Sequence, residues 1–80
     1  MNVIVTSIEK VFFEGKADHV VVPALGGEMT ILAKHAPTIT PLQAGIVRVK
    51  EKDGTEKDFA IAGGFLETDG HKVTICEKAA

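Results

Sequence analysis

Only one cysteine, Cys76, stands among the 80 residues. Its solitude excludes an internal disulfide framework and any zinc site built from several cysteines; one thiol also fits a reducing compartment. Neither sign of charge is in excess. Lys and Arg number 9, Asp and Glu 11, and the formal net charge of −2 lacks the basic footprint that a nucleic-acid partner requires. No apolar run nears the roughly 20 residues that span a bilayer. Met1-Asn2 leads straight into Val3-Ile4-Val5, without the basic region of a signal peptide. These absences predict a soluble, cytoplasmic chain.

Helical signals are missing as well. Gly, Pro or a β-branched residue interrupts every window long enough for three turns, and no apolar stripe of 3.6-residue period survives. No repeat, low-complexity segment or linker divides the chain, so residues 1–80 read as one domain. A domain this short buries only about 60% of its unfolded surface, which makes its core thin.

The chemistry of an active site is also lacking. His19, His35 and His71 show no metal-binding spacing, and each ring would need a second partner to orient it on a metal. Gly26-Gly27 follows a valine strand but is not followed by the Gly-Lys-Ser/Thr and helix of a phosphate loop. Ser7 has no base nearby in sequence and no Gly-x-Ser-x-Gly elbow. Cys76 sits in the last strand as a small core residue or weakly exposed thiol. No metal, cofactor or catalytic residue is expected, and the chain should neither hydrolyse nor bind nucleotide.

What is present is strand after strand. Val3–Ile8 alternates Val3, Val5 and Ser7 against Ile4, Thr6 and Ile8. Lys10–Glu14 ends at Gly15, and Ala17–Val22, with three successive valines, stops at Pro23; three in a row predict burial on both faces. Ile46–Lys50 and Thr55–Ala62 flank Asp53-Gly54, a type I′ hairpin signal that asks for φ > 0 at both positions. The run Arg48-Val49-Lys50-Glu51-Lys52-Asp53 alternates in sign, as a solvated hairpin does. Phe65–Thr68 and Lys72–Cys76 flank Asp69-Gly70. Turn signals recur every 8 to 12 residues, the rhythm of an all-β sandwich or barrel. The core is predicted from Val5, Val21, Ile31, Val47, Phe59, Ile61, Leu66, Val73 and Ile75.

One stretch, Gly26 to Gly45, is different. It combines glycines, two prolines, a histidine and a single acid among apolar residues. Pro37 and Pro41 cannot sit inside a central strand, because proline fixes φ and lacks a backbone donor. The extended pieces Glu28–Ala33 and Thr38–Thr40 remain between the breaks. Such a segment builds a shaped edge at the end of a β structure, and rigid sheets present their binding groups there. Within it Glu28 is the only acid between Asp18 and Glu51. His35 precedes Ala36-Pro37, which pushes Ala36 toward extended geometry. Glu28 reads either as a solubility charge or as a contact with a polar partner loop, and His35 either as a ring bonding loop carbonyls or as a contact residue.

Five segments occur in an order that carries a family resemblance: Phe13-Glu14-Gly15, Val21-Val22-Pro23, Gly27-Glu28-Met29-Thr30-Ile31-Leu32 with His35-Ala36-Pro37, Leu42-Gln43-Ala44-Gly45, and Gly63-Gly64-Phe65-Leu66-Glu67. Together they resemble the N-terminal domain of the ε subunit of F-type ATP synthases over essentially the whole chain. The resemblance implies a two-sheet antiparallel β-sandwich and a non-catalytic rotor role, packing on the γ subunit and resting on the polar loops of the c-ring. The membrane is then met only through the complex, at the cytoplasmic face of a bacterial inner membrane. Carried over by position, Glu28 resembles the acid facing the c-ring. Ser7, His35 and Thr40, with Ala62, Glu67 and Thr74, resemble positions at the γ contact. Many members have Gly where Thr30 stands and Pro-Gly where Ala33-Lys34 stands. Members usually continue into a C-terminal helical hairpin, whereas this sequence reaches Glu77-Lys78-Ala79-Ala80 as the sandwich ends, so it reads as a short form, natural or cut. A free-standing adaptor using the Gly26–Gly45 edge is the alternative; a small cupin-type barrel enzyme would need clustered histidines.

Overall fold

A computed structural model describes residues 1–78; Ala79 and Ala80, where the sequence reading closes the sandwich, lie outside the described residues. The described chain forms nine strands and no helix: β1 Asn2–Thr6, β2 Val11–Lys16, β3 His19–Ala24, β4 Gly27–Leu32, β5 Thr38–Leu42, β6 Gly45–Lys50, β7 Glu56–Ile61, β8 Gly64–Thr68 and β9 Lys72–Glu77. They follow one hydrogen-bonded path, β2-β1-β9-β8-β5-β3-β6-β7, with β4 on the free side of β3. At the step from β5 to β3 only Ala24 and Leu42 pair, and there the path folds over. The result is a sandwich, with β2-β1-β9-β8-β5 in the first layer and β4-β3-β6-β7 in the second.

The pairing is antiparallel with one exception. β1 and β9 run parallel, Asn2 opposite Lys72 and Thr6 opposite Cys76, so the sheets are not purely antiparallel as expected. On the side away from the fold-over, β2 and β7 meet through side chains. The Phe13 and Phe59 rings lie 6.0 Å apart at 52°, a tilt that suits their quadrupoles, and Lys57 Nζ stands 5.4 Å from the Phe13 ring centre.

Inner faces are set by the period of two along each strand. Val3 and Val5, Val20 and Val22, Ile31, Val47 and Val49, Leu66, and Val73 and Ile75 have almost no exposed surface. Burying each such side chain stabilises the fold by about 1.5–3 kcal/mol relative to leaving it in water. Two expected core positions differ. Val21 is only half-buried, because β3 is covered on one face alone and its three valines alternate like any others. Phe59 is partly buried at the open side, packed against the core rather than inside it.

Three turn residues lie inside strands, against expectation. Pro23, where the third strand is expected to stop, continues β3 opposite Glu28, past Val21, the last β3 residue paired with β6. Gly15 sits in β2 opposite Val3, and the Phe13 ring lies 3.3 Å from where a Cβ would be, covering the bare backbone. Pro41 sits in β5 opposite Phe65. β5 meets β3 at one pair only, so it is an open edge for most of its length, where a missing donor is tolerated. The Asp53-Gly54 turn also differs: only Gly54 has positive φ, +92°. Gly54 N bonds Glu51 O at 3.0 Å and Asp53 Oδ1 accepts Thr55 N at 2.9 Å, the pattern of a type I turn closed by a left-handed glycine.

Register sorts the loops into two ends. The β1–β2, β3–β4, β5–β6 and β7–β8 turns share one end with the finish of β9; the β2–β3, β4–β5, β6–β7 and β8–β9 loops share the other.

Candidate docking face

With Val3, Val5, Leu66, Val73, Ile75 and Leu42 turned inward, the alternate residues of the first layer form its outer face. Register aligns two rows across it. One runs Glu14, Ile4, Thr74, Glu67, Ile39, and the next runs Thr6, Cys76, Phe65, Pro41. Ile39 is 70% exposed and Phe65 48%. The face is therefore apolar, studded with threonines and two glutamates, and open to solvent. Contiguous exposed apolar surface rimmed by polar groups marks an interaction site. Shallow grooves bound it at both ends, one along Leu25, Pro41, Ala62, Phe65 and Glu77, the other along Pro37, Ile39, Glu67, Asp69 and Thr74.

The outer face of the second layer is built differently. Arg48 on β6 holds Asp58 on β7 in a two-pronged pair, Nε to Oδ1 at 2.9 Å and Nη2 to Oδ2 at 3.2 Å, with Glu56 Oε2 3.4 Å from Nε. Hydrogen bonding from Arg48 keeps the Asp58 carboxyl below its ordinary pKa. These groups are about half exposed, so the pair is solvated and weakly stabilising.

The expected contact residues do not form one cluster. Glu67 and Thr74 are cross-strand partners in the middle of the first-layer face. Thr40 lies in β5 opposite Leu66, half-buried on the inner side of its strand. Ser7 and Ala62 lie at the end that also carries Glu28. The Ser7 hydroxyl accepts Glu9 N at 3.2 Å and Lys10 N at 3.3 Å, so it shapes the β1–β2 turn. Glu28 is exposed on β4 opposite Pro23, next to the β3–β4 turn.

His35 belongs to the other end, in the β4–β5 loop. Its Nδ1 donates to Ala36 O at 2.8 Å, which fixes the ring against its own loop. Lys34, just before it, has φ +65°, the only described non-glycine residue in the left-handed region. Its amide donates to Gly70 O at 2.9 Å and ties this loop to the β8–β9 turn. That turn is held in its own right, because Asp69 Oδ1 accepts the amides of His71 and Lys72, each at 2.9 Å. These bonds, His71 first, keep the Asp69 carboxyl below its ordinary pKa. Among the described residues no group of three or more His, Cys, Asp or Glu is gathered as a metal would need. His19 Nδ1 lies 3.1 Å from Asp18 Oδ2, while His71 is exposed.

Sequence reading missed Ile39, Phe65 and Glu77. In Thr-Ile-Thr-Pro-Leu the sequence does not say which parity faces the core, and the burial of Leu42 is what turns Ile39 outward. Glu77, at the end of β9, accepts Ala62 N at 3.0 Å through Oε2, a contact between distant residues that no local pattern announces.

Comparison with known proteins agrees with this architecture. The model of the family described as ATP synthase, Delta/Epsilon chain, beta-sandwich domain matches residues 1–80. The ATP synthase epsilon chain of Brevibacillus brevis is 40% identical over 80 residues, covering 100% of this chain and 61% of the relative. That of Sinorhizobium fredii is 44% identical over 66 residues, covering 82% and 49%. The chain thus spans roughly half to three fifths of the length of these relatives. A chain in the Euglena gracilis mitochondrial ATP synthase, solved as OSCP/F1/c-ring in rotational state 1, superposes with a TM-score of 0.87 at 25% identity, over 94% of this chain and 48% of that one. A chain in the central stalk/c-ring structure of the Tetrahymena thermophila mitochondrial ATP synthase shares the fold, with a TM-score of 0.76 at 17% identity, over 99% of this chain and 63% of that one. A two-layer sandwich of this strand order, matched from the first residue to the last, belongs to the β-sandwich domain family of the ATP synthase delta/epsilon chains.

Proposed function

We propose that this sandwich is a non-catalytic rotor element of an F-type ATP synthase. It docks on a γ-type subunit through the outer face of the first layer, and on c-ring loops through the end that carries Glu28. The observation that carries this reading is the open apolar face of Ile4, Ile39, Phe65 and Pro41, with Glu67 and Thr74 at its centre. A face of this kind on a rigid sheet loses little entropy on docking. The assemblies in which its structural neighbours were solved, OSCP/F1/c-ring and central stalk/c-ring, supply partners of the right kind. No described helix is long and apolar enough to cross a membrane, and the membrane is met through the assembled complex, at the cytoplasmic face of a bacterial inner membrane. The sandwich carries torque and handles no nucleotide.

Pull-downs with γ alone and with a γ–c-ring assembly test the assignment. Glu67→Arg should weaken both captures. Glu28→Lys should weaken only the second, and more strongly at low salt, because an exposed charge acts through screened attraction. Loss of γ alone with Glu28→Lys, while Glu67→Arg binds normally, would place the γ surface at the wrong part of the molecule.

A further inference from the structure

Gly63 in the β7–β8 turn and Gly64 at the start of β8 have φ of +123° and +146°. Paired glycines give a chain its loosest joint, so the fixed course of this turn depends on what holds it. Two bonds from the end of β9 do so. Ala62 N donates to Glu77 Oε2 at 3.0 Å, and Lys78 N donates to Gly63 O at 2.8 Å. They grip the turn on both sides of the Ala62–Gly63 link. Glu77 is half-buried and lies in register with Gly64. A Cβ on Gly64 would collide with the Cys76 carbonyl, so β9 is seated directly on the turn. The same turn walls the groove beside Pro41 and Phe65 at one end of the first-layer face.

We infer that Glu77 is a positioning residue for the docking face: its carboxylate fixes the Ala62–Gly63 turn so that the groove wall is already formed when the γ-type partner arrives. The inference rests on the docking reading above. The Lys78 amide restrains the Gly63 carbonyl but leaves the Ala62 amide without a partner, and Glu77 supplies that second point. An ionised acceptor makes the stronger bond to an amide. Holding the wall in its bound geometry before contact reduces the ordering cost of association.

Amide hydrogen exchange and γ binding, measured on the 80-residue chain, test it together. In Glu77→Ala, exchange at Ala62 should rise about tenfold, the effect of losing one bond to a charged group, while core amides such as Val47 keep their protection. Affinity for γ should fall about three- to tenfold, since only preorganisation is lost. Glu77→Gln retains an acceptor oxygen and should recover most of both. Unchanged Ala62 exchange in Glu77→Ala would overturn the clamp. Faster exchange with unaltered γ affinity, where Glu67→Arg does abolish binding, would overturn the positioning role and leave the docking reading standing. A wild-type chain that fails to bind γ would instead remove the docking reading and the role built on it, with Ala62 exchange still deciding the clamp.

Discussion

The two outer faces of the sandwich are made from strands of similar length and use their exposure in opposite ways. On the first layer, Ile39 and Phe65 stand in water beside Ile4, Pro41 and Cys76. On the second, Arg48 gathers Asp58 and Glu56. Leu32 and Ile46 are exposed there too, but the row of Thr30, Val21, Arg48 and Asp58 runs between them. Charges that satisfy one another across a hairpin suit permanent contact with water. Exposed apolar side chains interspersed with threonines and two glutamates that, among the described residues, pair with nothing on the face suit a partner. Under the docking reading, one fold thus separates a wet side from a side that a partner covers.

The largest effect lies beneath both faces. Leu66 has no exposed surface and backs the first-layer face. Leu66→Ala should cost about 2–5 kcal/mol in a denaturant melt, from lost transfer energy and the cavity left behind. A loss near zero would show that the layer is not packed as described. Next comes the face itself. Ile39→Asp should lower γ affinity by roughly thirtyfold, about 2 kcal/mol, if Ile39 is an anchor, and should leave the melt unchanged within about 0.5 kcal/mol. Arg48→Ala, on the wet side, should leave γ affinity untouched. Equal losses from the two variants would erase the distinction between the faces.

A smaller effect is expected at Lys34. A left-handed non-glycine residue costs about 1–2 kcal/mol, and glycine gives back about 0.5–1 kcal/mol as unfolded-chain freedom. Lys34→Gly should therefore stabilise the chain by roughly 0.5–1 kcal/mol; a lower melting temperature would mean that the Lys34 side chain matters in its own right. The smallest concerns Asp69, whose folded pKa is depressed by the amides of His71 and Lys72. A depressed carboxylate contributes fully above its unfolded pKa of about 3.9, and the contribution is lost as pH falls through the folded value. The melting-temperature gap between wild type and Asp69→Ala should stay constant near neutrality and close only below about pH 4. A gap that closed at higher pH would remove the carboxylate from the turn.

The hairpins were legible because their signals are local: a glycine after Asp53 or Asp69, valines alternating with charges. Pro41 and Gly15 misled because their tolerance depends on a neighbour, an unpaired edge in one case and the Phe13 ring in the other. Val21 misled because one-sided cover over β3 is a property of the layers and not of three valines. For the site, resemblance supplied Glu67 and Thr74; the Asp69-Gly70 hairpin signal joins their strands, but the register that makes them partners was not read from it. The outward facing of Ile39 depends on which side of β5 is covered, and that belongs to the layers, which periodicity does not encode.

The parallel pairing of β1 with β9 has a consequence for synthesis. On the ribosome β1 emerges first and can pair with β2 at once. Its other edge has no partner until β9, the last of the described strands, has been made. An unpaired edge of this kind invites pairing with other chains, and its closure is a non-local, slow event. β9 also brings Thr74 and Cys76 to the middle of the apolar face and Glu77 to the turn beside it. A chain that lacks β9 therefore cannot form the docking surface proposed above, so that surface appears only once β9 has been made.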